Sequence, residues 1–313
     1  MIYTVTLNPA LDKTVEIPSL TPGGVNRITS MRTDPGGKGI NVSKVIAQLG
    51  GKSIATGILG GAIGHSIERA LENMGIESDF LFVESETTRT NLKIIDPVNH
   101  TNTDINEPGF TVSQELLDEL LGRLTARIVS GDLVVLSGSL PQGAPADTYR
   151  IWVKACRQRG AKVFLDVDGA LLGAGVQATP YFIKPNEHEL RVMLRQRLET
   201  VEELAEAAYG LCKKYGISKI VVSLGAEGAL YVTEKETIRA RGLKVPVGST
   251  VGAGDSVVAA MAVAEARGMS LAEAVRLSTA TGAANVMCSG SQAAGYVQIE
   301  ALMPKVEFYN LDE

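Results

Sequence analysis

The chain has few cysteines, few aromatic residues, no excess of positive charge and no long hydrophobic run. Its 313 residues include three cysteines and one tryptophan, and aromatic residues make up 5% of the sequence. Cys156, Cys212 and Cys288 lie far apart, without the paired spacing of a zinc site, and their odd number argues against a disulfide framework. We expect three reduced packing residues in a cytoplasmic protein.

The charge balance excludes one large class of partners. The net charge is −5, with acidic and basic residues interspersed, so no basic face is available to neutralise a nucleic-acid backbone. No apolar run approaches the roughly 18 residues of a membrane span, and the N-terminus lacks the features of a signal peptide. The sequence therefore predicts a soluble cytoplasmic protein with no nucleic-acid or membrane partner.

Strand-like and helix-like segments alternate along the chain. Residues 54–59 and 80–83 have strand character, and residues 66–73 between them have helix character. Such alternation is typical of an α/β fold with a mainly parallel sheet and helices on both faces. Residues 14–17 and 25–32 instead resemble a small hairpin outside that core. There is no internal repeat or low-complexity linker, so we expect a single domain over residues 1–313.

The run Thr250 to Ser256 places two glycines beside a carboxylate, Asp255. It follows a segment of strand character, residues 243–247, and precedes a helix-like segment, residues 257–266. Backbone N–H groups at a helix start favour anions, and glycine lets a phosphate approach them closely. An aspartate there can accept a proton from an attacking hydroxyl. Phosphoryl transfer to an alcohol and a simple helix cap are, on this run alone, equally good interpretations.

Other polar clusters also follow strand-like segments. Three glycines around Lys38 open a helix and could bind an anion or a hydroxyl, although the spacing is not that of a Walker A loop. Asp12 could hold a substrate hydroxyl or be a turn residue. Asn186 and Glu189 could order the water around Mg²⁺ or form a helix cap. Residues 89–95 and 101–106 form two further strands, the first with polar and basic side chains on one face.

Six segments, in this order, resemble the motifs of the PfkB carbohydrate kinases of the ribokinase-like superfamily. They are TLNPALD at 6–12, GGKGIN at 36–41, SGSLP at 137–141, KPNEHE at 184–189, SLGAEG at 223–228 and STVGAGDS at 249–256. The resemblance covers nearly the whole chain. It implies a three-layer α/β/α sandwich with a mainly parallel central sheet and a small β-sheet lid formed by residues near 12–34 and 88–107.

The resemblance also implies a role for each matching residue. Asp255 would be the catalytic base, and the amides of Gly252, Ala253 and Gly254 would form an anion hole for the transferred phosphoryl group. The phosphosugar site would contain Asp12, Arg27, Gly37, Lys38, Asn41, Arg89, Asn91 and Ser137. The ATP site would contain Lys184, Asn186, Ser223, Gly225, Gly228 and Gly254. Asn186 and Glu189 would hold Mg²⁺ through water, and the run 288–295 would border the adenine.

Within the family, the motifs resemble those of bacterial phosphosugar kinases. The resemblance implies an enzyme that uses ATP to phosphorylate the C6 hydroxyl of fructose 1-phosphate, and a homodimer paired through the lid. Tagatose 6-phosphate and fructose 6-phosphate remain alternative substrates, although Lys38 argues mildly against the latter. A sugar-phosphate-binding regulator on the same fold is the non-enzyme alternative, and the basic lid residues disfavour a free sugar or nucleoside. One departure from the family pattern is an additional carboxylate, Asp168, in the segment 165–169.

Overall fold

The computed structural model describes residues 1–288, 290 and 292–311. The strands are β1 (Ile2–Thr6), β2 (Ala10–Glu16), β3 (Ser30–Gly36), β4 (Ile54–Gly60), β5 (Glu77–Val83), β6 (Arg89–Asp96), β7 (Thr101–Asn106), β8 (Leu133–Ser137), β9 (Lys162–Asp166), β10 (Phe182–Ile183), β11 (Lys219–Ser223), β12 (Gly228–Val232), β13 (Thr237–Arg241) and β14 (Phe308–Asn310). The helices are α1 (Lys38–Gln48), α2 (Gly61–Asn73), α3 (Gln114–Arg127), α4 (Thr148–Gln158), α5 (Gly169–Gly175), α6 (Glu187–Leu194), α7 (Val201–Tyr215), α8 (Ala253–Ala266), α9 (Leu271–Val286) and α10 (Tyr296–Leu302).

The central sheet has ten strands in the order β14-β13-β12-β11-β10-β9-β8-β1-β4-β5. Seven strands, β11-β10-β9-β8-β1-β4-β5 in that order, run parallel to one another, and β12, β13 and β14 add an antiparallel edge. The inner strands β1, β4 and β8 are entirely buried, as strands covered by helices on both faces must be. The predicted mainly parallel sheet is therefore confirmed.

Helices cover both faces of this sheet and form two large apolar clusters with it. On one face, Leu120 of α3, Trp152 of α4 and Leu204 of α7 pack against the sheet. On the other, Val42 of α1 and Val258 of α8 belong to a second cluster, to which α9 also contributes. The predicted three-layer α/β/α sandwich is confirmed. No helix among residues 1–288, 290 and 292–311 has both the length and the apolarity to cross a membrane.

A separate sheet of four strands, in the order β3-β2-β6-β7, forms the predicted small lid. Strand β2 pairs antiparallel with β3 and parallel with β6, which pairs antiparallel with β7. The second strand of the hairpin begins at Ser30, later than predicted. The Asn26 side chain accepts a hydrogen bond from the Thr21 N–H and donates one to the Thr21 carbonyl, so this part of the chain forms a turn before the ladder begins.

The segment 243–247 is not a strand, contrary to the sequence prediction. The chain after it is held by the end of α9, because the amides of Gly248 and Ser249 both donate to the Val286 carbonyl. The edge of the sheet next to β13 is already taken by β14, so the segment has no free ladder there. Helix α8 begins at Ala253, earlier than predicted, and Asp255 therefore lies in its first turn.

Candidate active site

A polar cleft of about 490 Å³ lies between the carboxyl ends of the parallel strands and the lid. Open α/β sheets bind ligands at this edge. The lining residues come from the ends of β1, β8, β9 and β10, from the lid and from the starts of α1 and α8; they include Thr6, Asn8, Asp12, Gly37, Lys38, Asn41, Arg89, Asn91, Lys93, Asp104, Asp166, Asp168, Lys184, Gly252, Gly254 and Asp255. The fold thus brings most of the predicted substrate and catalytic residues together.

The start of α8 forms one wall of this cleft. Gly252, the residue before the helix, has a φ of 78°, a left-handed conformation that glycine adopts without strain. The first amides of a helix lack intrahelical partners, and that of Ala253 reaches the Thr250 carbonyl only at 3.4 Å. Gly252 and Gly254 both line the cleft, so this helix start lies in its wall. Anion binding by its N–H groups stays a prediction.

Asp255 is a buried carboxylate at this helix start. Asn41, at the start of α1, donates from Nδ2 to Asp255 Oδ2 at 2.9 Å. Burial, together with the nearby charge of Asp166, raises the pKa of Asp255 to about 6, although Lys38, Asn41 and Lys184 act in the opposite direction. A carboxylate with a pKa close to neutrality is a better proton acceptor than an ordinary aspartate, and it remains ionised at pH 7.

Asp166, at the end of β9, binds the two lysines of the cleft. Its Oδ1 lies 3.3 Å from Lys184 Nζ and its Oδ2 lies 3.9 Å from Lys38 Nζ. Burial alone would raise the pKa of Asp166, but these two cations outweigh burial and lower it. Asp166 has no role in the site predicted from the sequence, although its position directly after a buried strand was a signal that could have found it.

Ser137 does not line the cleft, in contrast to its predicted place in the substrate site. Its side chain is fully buried, and its hydroxyl donates to Asp166 at 3.3 Å. Gly138 and Ser139, the next two residues, line the cleft instead. The reason is that Ser137 still belongs to β8, whereas the chain leaves the sheet one residue later.

The additional carboxylate Asp168 forms an ion pair with Lys38. Lys38 Nζ donates to Asp168 Oδ1 at 2.8 Å, and Asp168 is largely exposed. Burial would lower the pKa of Lys38, but Asp166 and Asp168 outweigh it and raise the pKa above its ordinary value. Lys38 is therefore firmly cationic and is held at the edge of the sheet.

The lid and the end of β1 carry polar atoms without partners in the described residues. Asn91 Nδ2 donates to Asp12 Oδ1 at 3.1 Å, and the terminal guanidinium nitrogens of Arg89 donate to the Glu107 and Asn8 carbonyls at 2.9 Å. Arg89 Nε, Asn91 Oδ1 and Thr6 Oγ1 are buried with no hydrogen-bond partner among the described residues. Buried polar atoms are normally paired. Arg89 Nε and Thr6 Oγ1 can donate to a hydroxyl or phosphate oxygen of a ligand, Asn91 Oδ1 can accept from a ligand hydroxyl, and water can pair with any of the three.

Two basic side chains of the lid have different settings, and only Arg27 departs from its predicted one. Lys93 Nζ lies in the cleft, 3.3 Å from Asp104 Oδ1 on the neighbouring strand β7. Arg27, predicted to contact the substrate, is exposed on the loop between β2 and β3 and does not line the cleft of its own chain. The loop position follows from the later start of β3 described above.

A second, mainly apolar cleft of about 860 Å³ adjoins the first. Lys184 and Gly254 line both clefts. The second cleft also contains the other residues predicted for the nucleotide, Asn186, Ser223, Gly225 and Gly228. Its apolar walls come from the segment 243–247 and from helices α8 and α9, for whose apolar side chains the sequence predicted no part in the nucleotide site. Of the run predicted to border the adenine, residues 289 and 291 lie outside the described residues.

Asn186 and Glu189 form the helix cap that the sequence left open as an alternative. Asn186 Oδ1 accepts from the Glu189 amide and Glu189 Oε2 accepts from the Asn186 amide, both at 2.8 Å. Among the described residues, no group of three or more His, Cys, Asp or Glu side chains is arranged to hold a metal ion. Asn186 and Glu189 are therefore not part of a larger set of metal-coordinating side chains among the described residues.

Comparison with known proteins places this geometry in a family. The family model described as pfkB family carbohydrate kinase matches residues 5–297. The chain is 39% identical over 280 residues to a 1-phosphofructokinase of Rhodobacter capsulatus, covering 89% of this chain and 88% of that protein. It is 36% identical over 311 residues to a 1-phosphofructokinase of Bacillus subtilis (strain 168), covering 99% of this chain and all of that protein.

Solved structures agree with the sequence relatives. Phosphofructokinase-2 from Escherichia coli, in complex with substrates and products, matches with a TM-score of 0.93 at 31% identity, over 97% of this chain and 98% of that one. Arabidopsis thaliana ribokinase, complexed with ribose and ATP, matches with a TM-score of 0.77 at 26% identity, over 96% and 98% of the two chains. With a family model across most of its length and relatives at 36 and 39% identity, the chain belongs to the pfkB family of carbohydrate kinases, phosphotransferases with the ribokinase fold.

Proposed function

We propose that this protein transfers the γ-phosphoryl group of ATP to the C6 hydroxyl of fructose 1-phosphate, giving fructose 1,6-bisphosphate and ADP. The observation that carries the proposal is the position of Asp255 and the α8 amides in the wall of the polar cleft, beside Gly254 and Lys184, which border both clefts. A sugar in the polar cleft and a nucleotide in the apolar cleft would then bring the acceptor hydroxyl and the γ-phosphate together beside Asp255 and the start of α8.

Each side chain at this meeting point has a chemical task. Asp255 accepts the proton of the attacking hydroxyl, for which its raised pKa suits it. Negative charge spreads over the equatorial oxygens of the transferred group, so the reaction needs positioning and charge stabilisation more than covalent chemistry. Charge stabilisation would come from the amides of Gly252, Ala253 and Gly254 and from the cationic side chains of Lys38 and Lys184.

The acceptor class follows from the lid. Arg89 and Lys93 bring two cations to the cleft, and an unphosphorylated sugar has no group that requires them. The choice of fructose 1-phosphate rests on the relatives named 1-phosphofructokinase. Phosphofructokinase-2 from Escherichia coli has been solved in complex with fructose 6-phosphate. Fructose 6-phosphate and tagatose 6-phosphate remain alternative substrates here.

Mg²⁺ is the metal that the family resemblance implies, and the chain offers a suitable but partial donor set. Asn186 and Glu189 use one side-chain oxygen each in the helix cap, and the second carboxylate oxygen of Glu189 has no hydrogen bond among the described residues. Burial raises the pKa of Glu189. These residues fit an ion held through water, which is how Mg²⁺ usually binds. When bound, the ion would neutralise charge on the phosphates of ATP.

A homodimer through the lid is a further part of the proposal. Strand β7 is an edge of the small sheet and every one of its residues is exposed. Large apolar side chains are exposed around the same sheet, namely Val25, Ile28, Met31, Val98 and Ile105. An exposed strand edge with apolar neighbours is a surface that proteins usually cover. Light scattering should give twice the mass of one chain, and Ile105→Asp should lower it; a monomeric wild-type protein would contradict the pairing.

The reaction can be tested directly. Purified protein incubated with ATP, Mg²⁺ and fructose 1-phosphate should give ADP and fructose 1,6-bisphosphate in equal amounts, and ³¹P NMR distinguishes a new phosphate on C6 from free phosphate. If ATP were hydrolysed without any sugar bisphosphate, or if the sugar phosphate were bound and left unchanged, the proposal would be wrong. The second outcome would favour a sugar-phosphate-binding regulator.

A further inference from the structure

Lys44 is a buried lysine beneath the cleft that the proposed reaction does not use. It lies on α1, and its side chain is almost completely enclosed. Burying an ammonium group costs several kcal/mol unless it is well paired, so a position that only needed packing would be better filled by Leu or Met. Lys44 does not line either cleft, so its side chain lies behind the cleft wall.

The contacts of Lys44 lead to the catalytic carboxylate. Lys44 Nζ donates to the Asn41 Oδ1 at 3.2 Å and to the Pro35 carbonyl at 3.0 Å. Asn41 Nδ2 in turn donates to Asp255 Oδ2 at 2.9 Å. Pro35 belongs to the lid strand β3, so one buried ammonium connects the lid, the start of α1 and the base on α8.

The contacts of Lys44 and Asp255 fix the orientation of the Asn41 side-chain amide. An ammonium group has only donors, so it requires the oxygen of the Asn41 amide, and the amide nitrogen must then point away from it. The nitrogen meets the Asp255 carboxylate, which is an acceptor. A flipped amide would place its oxygen against the carboxylate and its nitrogen against the ammonium, and both contacts would be repulsive. Lys44 therefore adds a second reason for Asn41 to donate to Asp255.

We propose that Lys44 is a positioning residue for the base: through Asn41 it holds one oxygen of Asp255 and leaves the other for the acceptor hydroxyl. Oδ1 of Asp255 has no hydrogen-bond partner among the described residues. This inference rests on the proposed function, because it gives Asp255 the role of base. The Pro35 contact extends the same support to the lid, which closes the other side of the cleft.

The charges around these groups predict the direction of the pH effect. Lys44 faces Asp34 and Arg32 of β3, Asp12 of β2 and Asp255 of α8; burial lowers its pKa and the three carboxylates oppose the shift. The groups that act on Asp255 are Asp166, Lys38, Asn41 and Lys184. Without Lys44, a positive charge near Asp255 is lost and the Asn41 amide is no longer held, so the pKa of the base should rise.

The test is a kinetic comparison of Lys44→Met with the wild-type enzyme. We expect kcat to fall about tenfold or more, KM for the phosphosugar to change little, and the acidic limb of the kcat profile to move to higher pH. In a double-mutant cycle, Lys44→Met should cost much less in an Asn41→Leu background than in the wild type, because its effect passes through Asn41. Lys44→Arg, which keeps the cation, should recover part of the lost kcat.

Two controls keep the test decisive. Lys219→Met removes another partly buried lysine, which pairs with Glu265 away from both clefts, and it should lower stability without moving the pH limb. If Lys44→Met does not fold, Lys44→Gln can still donate to the Pro35 carbonyl but lacks the charge, and it should move the limb in the same direction. A folded Lys44 variant with unchanged kcat and pH limb, or additive losses in the cycle, would overturn the inference. If Asp255→Asn were itself fully active, the proposed function would fail instead.

Discussion

The ammonium of Lys184 lies 3.0 Å from the point where a β-carbon on residue 254 would stand, a point left open because Gly254 has none. Gly254 does not have a left-handed φ, so an alanine there would suit the backbone of α8. The absence of a side chain at Gly254 is therefore not needed for folding of the helix. It leaves room for Lys184 between the two clefts.

Gly254→Ala should separate stability from activity. Alanine favours a helix over glycine by up to about 1 kcal/mol, so Tm should be maintained or should rise slightly. Because the new methyl group displaces Lys184 and narrows the passage between the clefts, we expect kcat/KM for ATP to fall about tenfold or more. Steady-state kinetics and thermal unfolding on the same preparation provide both values.

Gly122→Ala is the matched control for this variant. Gly122 also lies within a helix, α3, and a β-carbon there would have no atom within 4 Å. It should give the same helix stabilisation with unchanged kinetics. If Gly254→Ala were as active as Gly122→Ala, the position of Lys184 beside Gly254 would not matter for activity, and the prediction would be wrong.

Asp255→Asn tests the base itself. Removal of a general base typically costs 10²-fold or more, and asparagine keeps the size of the side chain, so we expect about that loss in kcat with little change in KM. Asp147→Asn, at the surface before α4, is the control and should be fully active. A folded Asp255→Asn enzyme with wild-type kcat would remove Asp255 from the mechanism.

The wild-type kcat should fall on acidification. The pKa of Asp255 is raised to about 6 by burial and by Asp166, and only the ionised form accepts a proton. The kcat profile should therefore have an acidic limb near pH 6. A limb close to the ordinary value of an exposed aspartate would contradict a buried base.

The same shift predicts a stability difference. Because the folded-state pKa of Asp255 lies above its value of 3.8 in the unfolded chain, the protonated form is favoured in the fold, and this contribution is lost as pH rises through about 6. Asparagine imitates the protonated form. Asp255→Asn should therefore have a higher Tm than wild type at about pH 7.5, and the difference should shrink towards about pH 5. A Tm difference that grows on acidification would contradict the sign of the shift.

Much of this architecture could be predicted from the sequence because it follows from local patterns. The buried strands, the amphipathic helix α3 with Ser113 as its N-cap, and the glycine-rich start of α8 each have a periodicity or a local motif that specifies them. Side-chain direction at the end of a strand is less local. Ser137 and Gly138 are neighbours, yet only Gly138 lines the cleft, because the point at which the chain leaves the sheet depends on pairing with β9.

The ion pairs of the cleft could not be predicted for a related reason. Lys38 and Asp168 are 130 residues apart, and their contact depends on the adjacent placement of α1 and the end of β9. The strand predicted for the segment 243–247 is wrong for a related reason. Its β-branched residues favour strand conformation, but the edge of β13 is already paired with β14. A preference for strand conformation needs a partner strand, and the partner is decided by the whole fold.

The lid cation Lys93 should distinguish phosphorylated from free sugars. Lys93→Met removes a cation from the cleft, so KM for fructose 1-phosphate should rise about tenfold, and the weaker activity on free fructose should change little. Lys13→Met is the control, because Lys13 lies on the same small sheet next to Asp12 and does not line the cleft. Equal effects of Lys93→Met on both sugars would place the phosphate elsewhere.

The most direct test of the central claim is one comparison of kcat/KM for ATP-dependent phosphorylation of four acceptors: fructose 1-phosphate, fructose 6-phosphate, tagatose 6-phosphate and free fructose. We predict the highest value for fructose 1-phosphate and the lowest for free fructose, because Arg89 and Lys93 of the lid should favour a phosphorylated acceptor. A preference for one of the other sugar phosphates would correct the substrate and keep the mechanism. A preference for free fructose would contradict the account of the cleft.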